Sequence, residues 1–288
     1  IMKNIYLNIF KFNKNSLSKC VNILKKNSII GLPTETVYGL AGNAYSKTSI
    51  KKIYKLKKRP SKNPLIIHYS NINRAKKDVV LNKDFFKLYK KFSPGPITFV
   101  LKKAKNSKID SAALANLKTV AIRFPHHKAI RAILKKIDFP LAIPSANQSS
   151  GISPVTAMDV AEEFNQKIKM IIDGGNSKIG IESTVIDLTG KLKILRPGAI
   201  SPAEISKNLN KKITFIKKNK LIKSPGNLRK HYSPNIPMKL NYKYSSTKHA
   251  FIIFGNKFKA SKNTFNLSKK GNLKEAASNL YKVFRKIK

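Results

Sequence analysis

Ile29-Ile30-Gly31-Leu32-Pro33-Thr34-Glu35-Thr36-Val37-Tyr38-Gly39-Leu40-Ala41 is an apolar run that meets a proline, then two hydroxyls two residues apart, then a Tyr-Gly close. In an extended segment residues i and i+2 share a side, so Thr34 and Thr36 present two hydroxyls to one ligand while Glu35 and Val37 face away. Upstream, Ile1 to Phe12 reads as an opening strand and Asn13 to Lys26 as a helix, with Leu17, Cys20, Val21 and Leu24 three and four apart and Ser16 as its cap. Strand, helix, strand puts the Thr34 to Tyr38 segment at the mouth of a sheet, where α/β proteins bind ligands. Tyr38 reads as a packed wall rather than a catalyst.

Downstream the same motif recurs. A helix from Ser46 to Lys55 stops before Lys57-Lys58-Arg59-Pro60, and Pro60 and Pro64 bracket a stiff basic loop that contains Asn63. If that loop is extended, Lys57 and Arg59 aim the same way and can clamp a di- or triphosphate; a basic surface loop is the competing reading. Leu65 to His68 and Val120 to Arg123 are strands, the second ending in an arginine that needs a carboxylate or phosphate ligand, or an internal Asp or Glu. His126 and His127 lack the neighbours of a metal site and suit a structural or capping role. Ser145 and Asn147 repeat the i, i+2 hydroxyl and amide geometry. Thr156, with Asp159 three residues on, caps a helix over Ala157 to Phe164. Gly180 to Asp187 brings Ser183 into another strand. These polar groups at strand ends converge on one cleft.

Composition limits the classes. The chain has 288 residues, 59 Lys plus Arg against 13 Asp plus Glu, and a formal net charge of +46. Only seven basic residues are Arg, and the lysines are spread throughout, so the charge fits either a solvated surface or contact with a polyanion such as RNA. Cys20, the single cysteine, is a core position in the first helix and allows no disulfide or cysteine metal cluster, as expected in a reducing cytoplasm. No run of 18 apolar residues suggests a membrane span. Phosphate-loop, dinucleotide and Gly-x-Ser-x-Gly motifs are absent, and carboxylates are too scarce for an Asp/Glu catalytic pair. Residues 1–207 read as one domain, 208–234 as a basic linker reaching the active site, and 235–288 as a small C-terminal α/β domain that looks shortened. That last segment offers one strand at Ala250 to Phe254 and an amphipathic helix at Leu273 to Ile287.

The segments Leu32 to Leu40, Lys57 to Pro60 with Asn63-Pro64-Leu65, Pro94 to Thr98, Ile122 to Pro125, Pro144 to Asn147, Glu182 to Val185, Arg196-Pro197-Gly198 and Ser224-Pro225-Gly226 with His231-Tyr232-Ser233-Pro234 together resemble the YrdC-like threonylcarbamoyl-adenylate synthases in their longer form. The resemblance implies a twisted mixed open sheet with flanking helices. It also implies a reaction of L-threonine, bicarbonate or CO2, and ATP to threonylcarbamoyl-AMP and pyrophosphate. The product then feeds threonylcarbamoylation of tRNA through a downstream enzyme. On that basis Lys57, Arg59, Asn63, Thr119, Ser145, Asn147, Ser153, Arg196 and Tyr232 would hold ATP, with Lys57 and Arg59 carrying the catalysis and Mg2+ bound through the phosphates. Thr34, Thr36, His68, Arg123 and Ser183 would receive threonine, the arginine pairing with its carboxylate. A carbamoyl-adenylate-dependent carbamoyl transferase and a double-stranded RNA-binding module are the alternatives. The first lacks its usual acylphosphatase-like and zinc-finger segments here, and the second would show steeply salt-dependent binding.

Overall fold

A computed structural model describes residues 6–215, 232–242, 248–258 and 261–287. The order along the first part is β1 (Ile9–Lys11), α1 (Lys14–Lys25), β2 (Ile30–Leu32), β3 (Gly39–Asn43), α2 (Lys47–Lys57), β4 (Ile66–His68), α3 (Ile72–Ala75), β5 (Val79–Val80), α4 (Lys83–Phe92) and β6 (Ile97–Lys103). There follow β7 (Thr119–Arg123), α5 (Lys128–Lys136), β8 (Leu141–Ala142), α6 (Ala157–Phe164), β9 (Ile171–Asp173), β10 (Thr184–Asp187), β11 (Lys193–Arg196), α7 (Pro202–Leu209) and β12 (Thr214–Phe215). Among the described residues twelve strands form one mixed sheet in the order β1-β9-β2-β3-β8-β4-β7-β6-β10-β11-β12, with β5 on β6. The sheet thus runs past residue 207, the expected domain edge.

The helices start where short polar side chains satisfy their free N–H groups. Thr156 and Asp159 form the expected capping box on α6, and His127 caps α5 through Ala129 N. At α1 the cap is Asn13, with Ser16 as its partner in the box rather than the cap itself. The opening strand is confined to Ile9–Lys11 among the described residues.

The helices cover the two faces unequally, and this decides where a ligand can go. One face is buried along its length: Ile67, Phe99, Ile122, Ile186 and Ile194 pack on apolar residues of α2, α4, α6 and α7. On the other face α1 and α5 cover the β2, β3, β8 and β9 half, with Cys20, Leu24, Ile130 and Ile133 against Ile30, Leu32, Leu141 and Ile172. Over β4, β7, β6, β10 and β11 that second face carries only a small apolar floor of Ile66, Val100, Ala121, Val185 and Leu195.

The C-terminal part adds a parallel pair, β13 (Phe251–Ile253) and β14 (Thr264–Asn266), and helix α8 (Leu273–Ile287). The helix has the predicted bounds; β14 was not anticipated. Ser224 to Gly226 and His231, expected in the linker, lie outside the described residues. Among the described residues no helix is long and apolar enough to cross a membrane.

Candidate active site

Register aligns the polar groups in a row across the uncovered half of the sheet. His68 on β4 stands beside Arg123 on β7, Thr98 on β6 beside Val185 on β10, and Val185 beside Arg196 on β11. Thr98 and Ser183 share a hydrogen bond of 2.7 Å between their hydroxyls. His68, Arg123 and Arg196 are the last residues of β4, β7 and β11, and Thr98 and Ser183 lie at the starts of β6 and β10, so the groups meet at strand ends as expected; antiparallel pairing of β6 with β7 and of β10 with β11 brings those starts and ends to one side of the sheet. Thr36, Arg59, His68, Arg123 and Ser145 line the resulting cleft with Ser183 and Arg196, and Ile66, Ile143, Val37 and Glu182 complete its walls.

The segment Thr34 to Tyr38 is a turn, not an extended strand. Thr34 Oγ1 donates to Val37 O at 2.6 Å and accepts from the Thr36 and Val37 amides, so its hydroxyl is spent on shaping the turn. Thr36 reaches the cleft. Glu35, expected to face away, turns inward to Arg123, with Oε1 2.6 Å from Nη2 and Oε2 accepting from His126 N. Arg123 therefore meets the internal carboxylate, one of its two foreseen partners, and also donates to Thr36 Oγ1 at 2.9 Å. Burial raises the Glu35 pKa, but Arg123 and the hydrogen bonds more than offset it and hold the carboxyl below its ordinary value. His68 is buried beside Arg123, and burial first and that guanidinium second bring its pKa down to about 3; its Nδ1 lies 3.1 Å from Ile66 O.

Lys57 and Arg59 do not form an extended fork. Lys57 ends α2, Lys58 takes a left-handed conformation at φ 49°, and the chain reverses before Arg59. The Lys57 amine is buried and donates to the carbonyls of Ser145, at 2.5 Å, and of Asn147. Burial, with Arg59 nearby, pushes its pKa well below the ordinary lysine value. Lys57 thus holds the Ser145 to Asn147 loop, whose own side chains join at 2.6 Å from Ser145 Oγ to Asn147 Oδ1. Arg59 faces the cleft while donating to the carbonyls of Asn63 and Pro64. Burial lowers its pKa to about 10, so it stays charged at neutral pH. Asn63 is buried with neither amide atom hydrogen-bonded.

Ser153, Tyr232, Arg196 and Thr119 were also expected to hold the nucleotide. Ser153 donates to Glu182 Oε1 at 2.5 Å, and Tyr232 stacks on Tyr281 of α8 with ring centroids 6.0 Å apart. Arg196 lines the cleft and grips the Ser183 carbonyl through Nε and Nη2. Thr119 starts β7, at the other end of the strand from Arg123, and is not a cleft residue. Sequence reading missed the inward Glu35, Thr98, Glu182 and Tyr281. An isolated carboxylate beside hydroxyls, in a chain this poor in acids, was the available signal for both glutamates.

A second, larger cavity of about 330 Å3 is lined by Gln148, Glu162, Glu163, Asn235 and Arg285. It holds none of the arginine row. The cleft is narrower, about 50 Å3 in this conformation, less than the roughly 300 Å3 of a usual ligand pocket, so a nucleotide enters only if the walls part.

Fold and site define a class: an α/β protein whose sheet, on the half-face not packed by α1 and α5, carries a buried arginine-rich cleft suited to anions. The chain belongs to the Sua5/YciO/YrdC family, whose model, described as telomere recombination, matches residues 22–198. A second model, described as the threonylcarbamoyl-AMP synthase C-terminal domain, matches residues 200–288. The chain is 39% identical to a threonylcarbamoyl-AMP synthase of Pyrococcus abyssi over 74% of its own length and 64% of that protein. It is 36% identical to one of Bacillus subtilis over 78% of its length and 66% of the relative. It therefore spans slightly less than two thirds of these relatives. The crystal structure of P. abyssi Sua5 complexed with L-threonine matches it with a TM-score of 0.86 at 31% identity, over 96% of this chain and 88% of the other.

Proposed function

We propose that this chain joins L-threonine, bicarbonate or CO2, and ATP to give threonylcarbamoyl-AMP and pyrophosphate, for transfer to tRNA by a downstream enzyme. The observation that carries the reading is the row His68, Arg123, Ser183, Arg196 along one wall of a single cleft, with Arg59 and Ser145 also lining it. Similarity to synthases of that name and to a threonine-bound relative supports it.

In this reading Arg59 and Arg196 neutralise the triphosphate, and Asn63, whose buried amide lacks partners, gains them from the nucleotide. Ser145 and Asn147 shape the nucleotide wall, Lys57 fixes that wall from behind, and Ser153 and Tyr232 support its rim. Thr36, His68, Arg123 and Ser183 receive threonine, with Thr34 setting the turn that aims Thr36. Arg123 offers the threonine carboxylate the donor capacity that Glu35 leaves. The threonine amine becomes a carbamate, its oxygen attacks the α-phosphorus, and pyrophosphate leaves towards the arginines. Positioning and charge stabilisation supply the catalysis, and closure of the cleft keeps water from the labile product. No group of three or more His, Cys, Asp or Glu side chains that could hold a metal occurs among the described residues, so Mg2+ would arrive on the phosphates.

The test is pyrophosphate release with and without L-threonine. Arg59→Ala should lower threonine-dependent turnover by about 100-fold or more, the usual effect of removing one electrostatic stabiliser. ATP turnover that ignores threonine, or none with any amino acid, would end this reading.

A further inference from the structure

Helix α8 reaches the cleft wall at one polar point. Glu182, at the entry to β10, is a buried carboxylate lining the cleft, and each of its oxygens has one partner: Oε1 accepts from Ser153 Oγ at 2.5 Å and Oε2 from Tyr281 Oη at 2.7 Å. The Tyr281 ring lies in an apolar cluster with Val37, Ile152 and Val155 and stacks on Tyr232. The helix is clamped on both sides of this point. At Gly180 a Cβ would come within 2.6 Å of Ser278 Cα, so the helix backbone sits directly on the loop that carries Glu182. One turn further on, Arg285 donates to Ile152 O at 2.7 Å and pairs with Glu163 at 3.5 Å, gripping the loop that carries Ser153.

Glu182 is the acid among the cations of this cleft, sharing it with Arg59, Arg123 and Arg196. A buried carboxylate that loses a donor takes the nearest replacement, because an unsatisfied charge is costly where water is excluded. The replacements at hand are guanidiniums of the same cleft. We propose that Tyr281 is a positioning residue for the nucleotide half of the site: its hydroxyl holds Glu182 in place, keeping Ser153 seated and leaving Arg59 and Arg196 for phosphate. This rests on the assignment of that half to ATP made above. It gives the C-terminal helix a defined contribution to substrate binding through one hydroxyl.

Tyr281→Phe in the full chain keeps the ring, its stack and the helix while deleting the hydroxyl. Threonine-dependent pyrophosphate release should show the KM for ATP raised about tenfold, with the KM for threonine changed less than about twofold. In a Glu182→Gln background the same substitution should add less than about twofold, since the group it acts through is already neutral. Equal rises for both substrates, an unchanged KM for ATP, or a full effect persisting beside Glu182→Gln would each overturn the proposal. Absence of threonine-dependent turnover in the unmodified chain would instead overturn the proposed function.

Discussion

At the scale of single residues, the cleft depends on buried charge that is paired or suppressed. Glu35 and Arg123 are both buried and 2.6 Å apart, so removing one leaves the other uncompensated, a loss of about 3–5 kcal/mol. The Glu35 pKa is lower folded than unfolded. Its stabilisation is therefore complete above the ordinary carboxylate range and is lost as pH falls through the lowered folded value. Glu35→Gln should reduce the melting temperature strongly at pH 7, and the gap to the unmodified chain should narrow in acid; a gap independent of pH would refute the assignment. His68 adds a second acid-side effect. Its folded pKa of about 3 lies below the unfolded 6.5, so stability falls progressively as pH drops between those values. Its ring resonances in NMR should not titrate between pH 8 and 5, and a midpoint near 6.5 would show that the ring is solvated.

At the scale of elements, loops and helix ends do more of the site building than strands. Lys57 could be recognised from its basic motif, yet its task depends on α2 continuing two residues beyond the expected stop, which turns the amine onto the Ser145 and Asn147 carbonyls. Thr34 was legible as important but not as the centre of a turn, since a hydroxyl after proline fits both conformations. Gly180 tests how α8 is seated. It has φ +75°, and a methyl group there would strike the helix backbone. Gly180→Ala should speed amide exchange across residues 273–287 by about tenfold or more while β6 and β7 keep their protection. Unchanged protection in the helix would mean that it is held elsewhere.

At the scale of the whole molecule, the charge of +46 makes the folded state repel itself. Salt screens that repulsion, with a Debye length of about 10 Å at 0.1 M. Thermal melts should shift upward by roughly 3 °C or more between 0.05 and 0.5 M NaCl. A flat or falling melting temperature would mean that the lysines are already spaced beyond mutual influence. The reading as an RNA-binding module finds no separate support in the site, where the cations that matter are three arginines lining one cleft rather than the dispersed lysines.

The sequence by itself determined the local features: helices α6 and α8 to the residue, the cap Thr156, the core position of Cys20, and most of the residue types that meet in the cleft. These follow from periodicity, capping chemistry and motif spacing, which act over a few residues. Only the tertiary structure decided that the cleft lies on the half-face left bare by α1 and α5, that Arg123 takes Glu35, and that Tyr281 reaches Glu182. Each is a meeting of segments distant in the chain, 88 residues apart for Arg123 and Glu35 and 99 for Tyr281 and Glu182. Such partnerships are set by strand register and by which charges find a buried counterpart, and neither is written in local pattern.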